Sequence, residues 1–311
     1  MKVFVRRHIA GHKAPRYIQF TAVIPRNVSG KILKNALVTL KTDDTQQVAR
    51  KAPTMSSSFL VDVSLRDGTI VLRLQNPPVN AWSDDFVDDL EDALTYLPVA
   101  EARAVVVTGH GDHFSAGEDV RRVQELSDEE SARKFVTRMH GIMDRVAALP
   151  VPVIAAVDGT ASGAGLELAL ACDIRVASAR AKLRLPETRW GILAGAGGTQ
   201  RLARLIGPGR AKLLMYTAEP VTAQEALDLG LVEIVTDAPD PLPRALSLAE
   251  QIGRNSPRAV RHIKESVDQG LDRDLDEGLR IEQELWVELA THGDLTEGAA
   301  AFAEGREPDY R

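Results

Sequence analysis

Two glutamates and two loops of small residues are where this chain has the means to do chemistry. Glu167 stands in an otherwise apolar stretch, with Leu166 before it and Leu168, Ala169, Leu170 and Ala171 after it. A carboxylate among hydrocarbon groups is costly unless it is paired or put to use. Glu187 follows Leu185-Pro186, twenty positions further on. Two carboxylates in one dry site push their pKa values apart, which leaves one as an acid and the other as a base. Taken singly, each has a plainer reading: a structural salt bridge for Glu167 and a solvated loop position for Glu187.

The first small-residue loop is Asp158-Gly159-Thr160-Ala161-Ser162-Gly163-Ala164-Gly165, between an apolar β-branched run and the Glu167 segment. Small residues let a ligand approach the backbone, and free N–H groups at a helix start favour a negative oxygen. The spacing matches neither a dinucleotide fingerprint nor a phosphate loop. A tight strand-to-helix turn would look the same. The second loop is His113-Phe114-Ser115-Ala116-Gly117-Glu118-Asp119. One N–H from each loop could grip a single carbonyl oxygen, and a donor aimed at a developing oxyanion typically contributes about 10²–10³ in rate. The 7 histidines show no zinc-ligand spacing, so no metal is expected, and His110 and His113 read as loop polar residues.

The elements that must position these groups are those of an α/β protein. Val61 to Leu74 reads as a hairpin around Asp67-Gly68, and Ser83 as the cap of a helix reaching Leu97. Ala104–Thr108 and Val153–Val157 read as buried strands, with a helix from Asp128 to Leu149 between them. A helix over Gly165–Cys172 follows, then short strands at Ile174–Val176 and Leu183–Leu185. Beyond residue 197 the pattern predicts helices only: Thr199–Ile206, Ala223–Leu229, Pro241–Ile252, Pro257–Gln269 and Asp274–Leu289. Strands alternating with helices imply a mostly parallel sheet with a helical tail as cap or oligomer contact.

Composition narrows the setting. The net charge of −6 is uneven, with +9 in residues 1–51 and −15 in the rest. The basic residues are scattered among apolar ones and no RNA motif follows, so no nucleic-acid partner is expected. The single cysteine, Cys172, lies in an apolar run and reads as buried, giving no sign of an oxidising compartment. Arg6, Arg7, Lys13 and Arg16 break up any secretory leader, and Asp158 and Glu167 interrupt the best membrane-span candidate. A cytoplasmic protein without a membrane partner is the default.

These residues together make a specific resemblance. From about residue 59 to 311 the chain resembles the crotonase, or enoyl-CoA hydratase/isomerase, superfamily. The matching stretches are Asn76-Pro77-Pro78-Val79-Asn80-Ala81, Phe114 to Asp119, Gly163 to Asp173, Gly195-Ala196-Gly197-Gly198-Thr199-Gln200-Arg201-Leu202 and Ala223 to Val232. The resemblance implies an α/β fold built as a spiral of ββα turns, with a crotonase core over 59–255 and a helical region over 256–311. It implies hydration of a 2-enoyl-CoA to a 3-hydroxyacyl-CoA, with coenzyme A as part of the substrate and no separate cofactor. The amides of Ala116 and Ala164 would form the oxyanion hole, and Glu167 and Glu187 would hold the water and move its protons. The amide of Gly195 would help hold that water. Val79, Asn80, Ala81, Ala116 and Asp119 would line the coenzyme A channel. A homotrimer or dimer of trimers is implied as well. Ala164 stands where many relatives carry glycine, and Trp190 is bulkier than the aliphatic residue expected there, packed against either the acyl pocket or the core. Other enolate chemistry stays open, either double-bond isomerisation or hydration of a cyclic or aromatic-pathway acyl-CoA, as does a noncatalytic CoA-ester-binding scaffold.

The first fifty residues resemble something else. Lys13-Ala14-Pro15-Arg16 and Ile24-Pro25-Arg26-Asn27-Val28-Ser29-Gly30-Lys31 are similar to the tail of acyl-CoA synthetases, the adenylate-forming ligases. Without the ligase body, residues 1–50 read as a basic remnant lacking ligase activity, joined by a linker over 51–58.

Overall fold

The computed structural model describes residues 59–310. The chain divides into two units, Met1–Ser58 and Phe59–Arg311. The ligase-like segment and its linker lie outside the described residues.

The hairpin forms as expected, with β1 (Val61–Arg66) antiparallel to β2 (Thr69–Leu74) across the Asp67-Gly68 turn. Both turn residues take positive φ, 47° at Asp67 and 76° at Gly68, as a right-twisted two-residue hairpin demands. From there the chain winds in repeated turns, placing one strand in a main sheet and a short strand in a second sheet. The main-sheet strands are β4 (Ala104–Gly109), β7 (Val153–Val157), β9 (Ile174–Ser178) and the three-residue β12 (Ile234–Thr236). They extend the main sheet in the order β1-β2-β4-β7-β9-β12, all parallel after the hairpin. The short strands are β5 (His113–Ser115), β8 (Thr160–Ser162), β10 (Lys182–Arg184) and β11 (Val221–Thr222), in the order β11-β10-β8-β5. A two-residue pair, β3 (Ala81–Trp82) with β6 (Gly117–Glu118), stands apart.

The helices that matter for the site are α1 (Asp84–Thr95), α2 (Val120–Gln124), α3 (Glu129–Ala147), α4 (Ala164–Ala171) and α5 (Gly198–Ile206). Ser83 caps α1 by accepting from the Phe86 amide, as its residue type predicts. Strand alternation splits the core. Val105, Val107, Val153, Ala155 and Val157 pack with α1, α3 and α4 on one face. Val106, Ile154, Ala156 and Val176 pack on the other, under Leu242, Ala245 and Ala249 of α8 (Leu242–Gly253). Between α5 and α8 lie α6 (Pro208–Thr217) and α7 (Ala223–Leu229).

The region after residue 197 is not purely helical: β11 and β12 add edge strands to the two sheets, and α6 was not foreseen. Two- and three-residue strands carry too few residues for an alternation to register, so only pairing with β10 and β9 defines them. The tail comprises α9 (Pro257–Gly270), α10 (Leu275–Ala290) and α11 (Gly293–Glu304). Lys264 of α9 pairs with Asp173 of the core. Much of the tail's apolar surface faces outward, including Leu271, Leu275, Trp286 and, at 89% exposure, Phe302.

Candidate active site

α4 is apolar on all sides and buried along its whole length, Glu167 included at 3% exposure. A helix hydrophobic all round belongs in a core. Its C-terminal end is held by Arg175, itself 4% exposed, which donates to the carbonyls of Cys172 (2.9 Å), Ala169 (3.4 Å), Asp173 (3.4 Å) and Leu231 (3.0 Å). The same guanidinium pairs with Glu233. At its N-terminal end Gly163 provides no side-chain cap. The first amides of a helix have no intrahelical acceptor, so the N–H of Ala164 is turned outward at the positive end of the helix.

The Glu167 carboxylate is not salt-bridged. Its Oε1 accepts the amides of Ala196 (2.7 Å), just before α5, and Gly198 (2.8 Å), its first residue. Burial raises its pKa, and those two amides act against the rise by favouring the charged form. A Cβ on Gly198 would lie 2.9 Å from Oε1, so only glycine lets the amide come this close. The motif residues around Gly195 were noticed in the sequence, but the role of Ala196 and Gly198 as holders of Glu167 was not. Gly195 immediately precedes them, packed against Val136 of α3.

Glu187 starts a single 3₁₀ turn, Glu187–Trp190. Its Oε1 lies beside Gly163: a Cβ there would be 3.0 Å away. Glu187 therefore lies against the start of α4, near enough to Glu167 to feel its charge. The Glu187 carboxyl is pushed up to about 7, first by burial and then by the charge of Glu167. Glu187 also lines an apolar cavity of about 360 Å³, with Leu185, Leu193, Ala194, Ala203 and Met215 among others. Trp190 is 61% exposed and so is buried in neither the pocket nor the core.

The second loop corrects one expectation. The Ala116 amide donates to the Val79 carbonyl at 2.9 Å, and the Gly117 amide to Ser115 Oγ at 3.1 Å. Neither is left to hold a ligand oxygen. Along an extended strand, successive amides point to opposite edges. The Asp119 amide donates to Trp82 on β3 (3.2 Å), so the Glu118 amide is directed away from β3. Gly117, at φ 88°, brings this backbone against the start of α4: a Cβ on it would sit 2.3 Å from the Ser162 carbonyl and 3.1 Å from the Ala164 amide nitrogen. Of the amides from Ala116 to Asp119, the one turned away from β3 and next to this close approach is thus that of Glu118. A two-position slip of this kind is invisible in sequence because only the strand register decides which amide faces which edge. The Glu118 carboxyl is also raised, to about 7, by burial that outweighs its pairing with Arg122.

Asn80 is corrected as well. It is fully buried, at positive φ (51°), and its Nδ2 donates to the carbonyls of His113 (2.7 Å), His110 (3.0 Å) and Phe114 (3.3 Å). It staples the loop and cannot line a channel. Val79, Ala81 and Ala116 are half-buried beside it, and Asp119 caps α2, with Arg121 holding its carboxyl below the usual range. Among the described residues no group of His, Cys, Asp and Glu could hold a metal ion, and no helix is long and apolar enough to cross a membrane.

Known proteins resemble this chain over most of its length. Residues 65–311 match the family described as enoyl-CoA hydratase/isomerase. The putative enoyl-CoA hydratase/isomerase YngF of Bacillus subtilis is 41% identical over 83% of this chain and 99% of its own length. The crotonyl-CoA hydratase of Syntrophomonas wolfei is 39% identical over 77% of this chain and 93% of its own. The crystal structure of an enoyl-CoA hydratase from Bacillus anthracis superposes with a TM-score of 0.77 at 40% identity, covering 81% of this chain and 98% of that one. The ββα spiral with its helical tail is accordingly the crotonase fold, and the chain is an enzyme of the enoyl-CoA hydratase/isomerase family.

Proposed function

We propose that this enzyme adds water reversibly to a 2-enoyl-CoA, giving a 3-hydroxyacyl-CoA. The observation that carries this reading is the pair of glutamates at the start of α4, Glu187 near enough to Glu167 to feel its charge, next to the outward-turned Ala164 amide. Adding a hydroxyl at C3 builds an enolate whose charge falls on the thioester oxygen. The amides of Ala164 and Glu118 hold that oxygen, and preorganised donors of this kind need no reorganisation as charge develops. Glu167, whose charged form is favoured by two amide donors, takes a proton from water as it attacks C3. Glu187 lies near 7 and gives its proton to C2. The two acids exchange roles in the reverse direction.

The Gly195 amide helps hold the water, while Val79, Ala81, Ala116 and Asp119 border the entrance for the coenzyme A moiety. No separate cofactor takes part. The outward apolar face of α9 to α11 supports assembly into trimers. The lack of a membrane-crossing helix among the described residues is compatible with a cytoplasmic address. Residues 8–38 are a ligase-tail remnant, a reading supported only by their sequence.

Crotonyl-CoA tests the proposal. The wild-type protein should remove the enoyl absorbance, and Glu167→Gln should slow turnover by about 10²–10⁴ with the fold retained, because the amide oxygen still accepts from Ala196 and Gly198. Near-normal turnover in that variant would sink the two-glutamate mechanism.

A further inference from the structure

We propose that Ser115 is a positioning residue for the oxyanion hole, acting through its hydroxyl on the strand that carries the Glu118 amide. The inference rests on the hydratase reading above.

Ser115 is fully buried at the end of β5. Its Oγ donates to the Asn80 carbonyl at 2.7 Å and accepts from Trp82 Nε1 at 3.1 Å and from the Gly117 amide at 3.1 Å. One hydroxyl therefore uses its single proton and both lone pairs. Asn80 and Trp82, its other partners, are fully buried too. The Asn80 side chain staples the loop preceding Ser115, so β3, β5 and β6 are knotted at this one oxygen.

The same residue touches the other half of the hole. Ser115 pairs with Ala161 of β8, and a Cβ on Gly165 would meet Ser115 O at 2.6 Å, its Cβ at 2.7 Å and its Oγ at 2.9 Å. Gly165 follows Ala164 in the first turn of α4. Ser115 is thus in direct contact with one donor segment and hydrogen-bonded to the other. Its hydroxyl sets the spacing between two amides that must meet one oxygen. Without it, the buried Gly117 amide and Trp82 Nε1 lose their acceptor, and both would turn to find another. Shifting Gly117 moves the Glu118 amide directly after it.

Ser115→Ala removes the oxygen without adding bulk. Thioester polarisation is read with a para-amino-substituted cinnamoyl-CoA, whose absorption moves to longer wavelength when its carbonyl oxygen is hydrogen-bonded. The expected result is a red shift cut to less than half of the wild-type value. With it, kcat for crotonyl-CoA should fall roughly tenfold or more while KM stays within about threefold, since the lost interaction belongs to the transition state. Ser115→Cys, which hydrogen-bonds weakly, should lie between the two, and it carries the test if the alanine variant does not fold. A wild-type red shift in the variants overturns the proposal, even if kcat falls, because the role would then be structural. If the wild-type protein itself neither shifts the probe nor hydrates crotonyl-CoA, the hydratase reading has failed and this inference falls with it.

Discussion

Replacing Glu187 by glutamine should disable the enzyme and, in alkaline solution, make it harder to melt. The Glu187 carboxyl moves from its ordinary 4.5 to about 7 on folding, because burial and the Glu167 charge both disfavour ionisation. The folded state then binds more protons than the unfolded chain between these two values. Stability must fall as pH rises through that window, and the cost is complete above about 7. A shift of this size corresponds to roughly 3 kcal/mol. Partial solvent access to Glu187 trims that to about 1–3 kcal/mol. Glutamine has nearly the same shape and never ionises, so it escapes the cost. Thermal unfolding of wild type and Glu187→Gln from pH 4.5 to 9 should show equal Tm at the acid end. Toward pH 8.5 the variant should lead by roughly 3–10 °C for a domain of this size. A Tm difference independent of pH, or one favouring the wild type at pH 8.5, would refute the argument that Glu187 is desolvated beside a charged Glu167.

The other expectations are simpler to read. Gly198→Ala places a Cβ 2.9 Å from Glu167 Oε1 and 3.1 Å from its Cγ. Displacing that carboxylate should lower kcat by about tenfold or more with little change in KM, as steady-state assays with crotonyl-CoA would show. Arg175→Met strips four carbonyls and Glu233 of their buried partner at the end of α4. The loss should be about 3 kcal/mol, a fall in Tm of roughly 6–12 °C by calorimetry.

Much of the site was legible in the chain itself, for reasons that can be named. Glu167 stood out because a carboxylate in a run of Leu and Ala is costly unless paired or put to use, and it is 3% exposed. The long strands announced themselves as short β-branched runs, and the Asp67-Gly68 turn by its residue types. The short strands β3, β6, β11 and β12 did not, since two or three residues hold no periodicity and owe their state to partners far along the chain. Asn80 was seen in its motif but misplaced: a buried amide bonding three loop carbonyls and a polar residue lining a channel are the same letter in the sequence.

Residue type and local pattern by themselves determined which groups can ionise, which segments are too apolar to be exposed, and which loops have backbones open to a ligand. Tertiary structure decided the rest, because direction is not a property of one segment. Glu187 lines its cavity beside Ala203 and Met215, which are well removed from it in sequence. The register of β3 against β6 turns the Glu118 amide, and not that of Ala116, away from β3. An amide's partner is set by which strand lies alongside it, and that is settled only when the whole spiral closes.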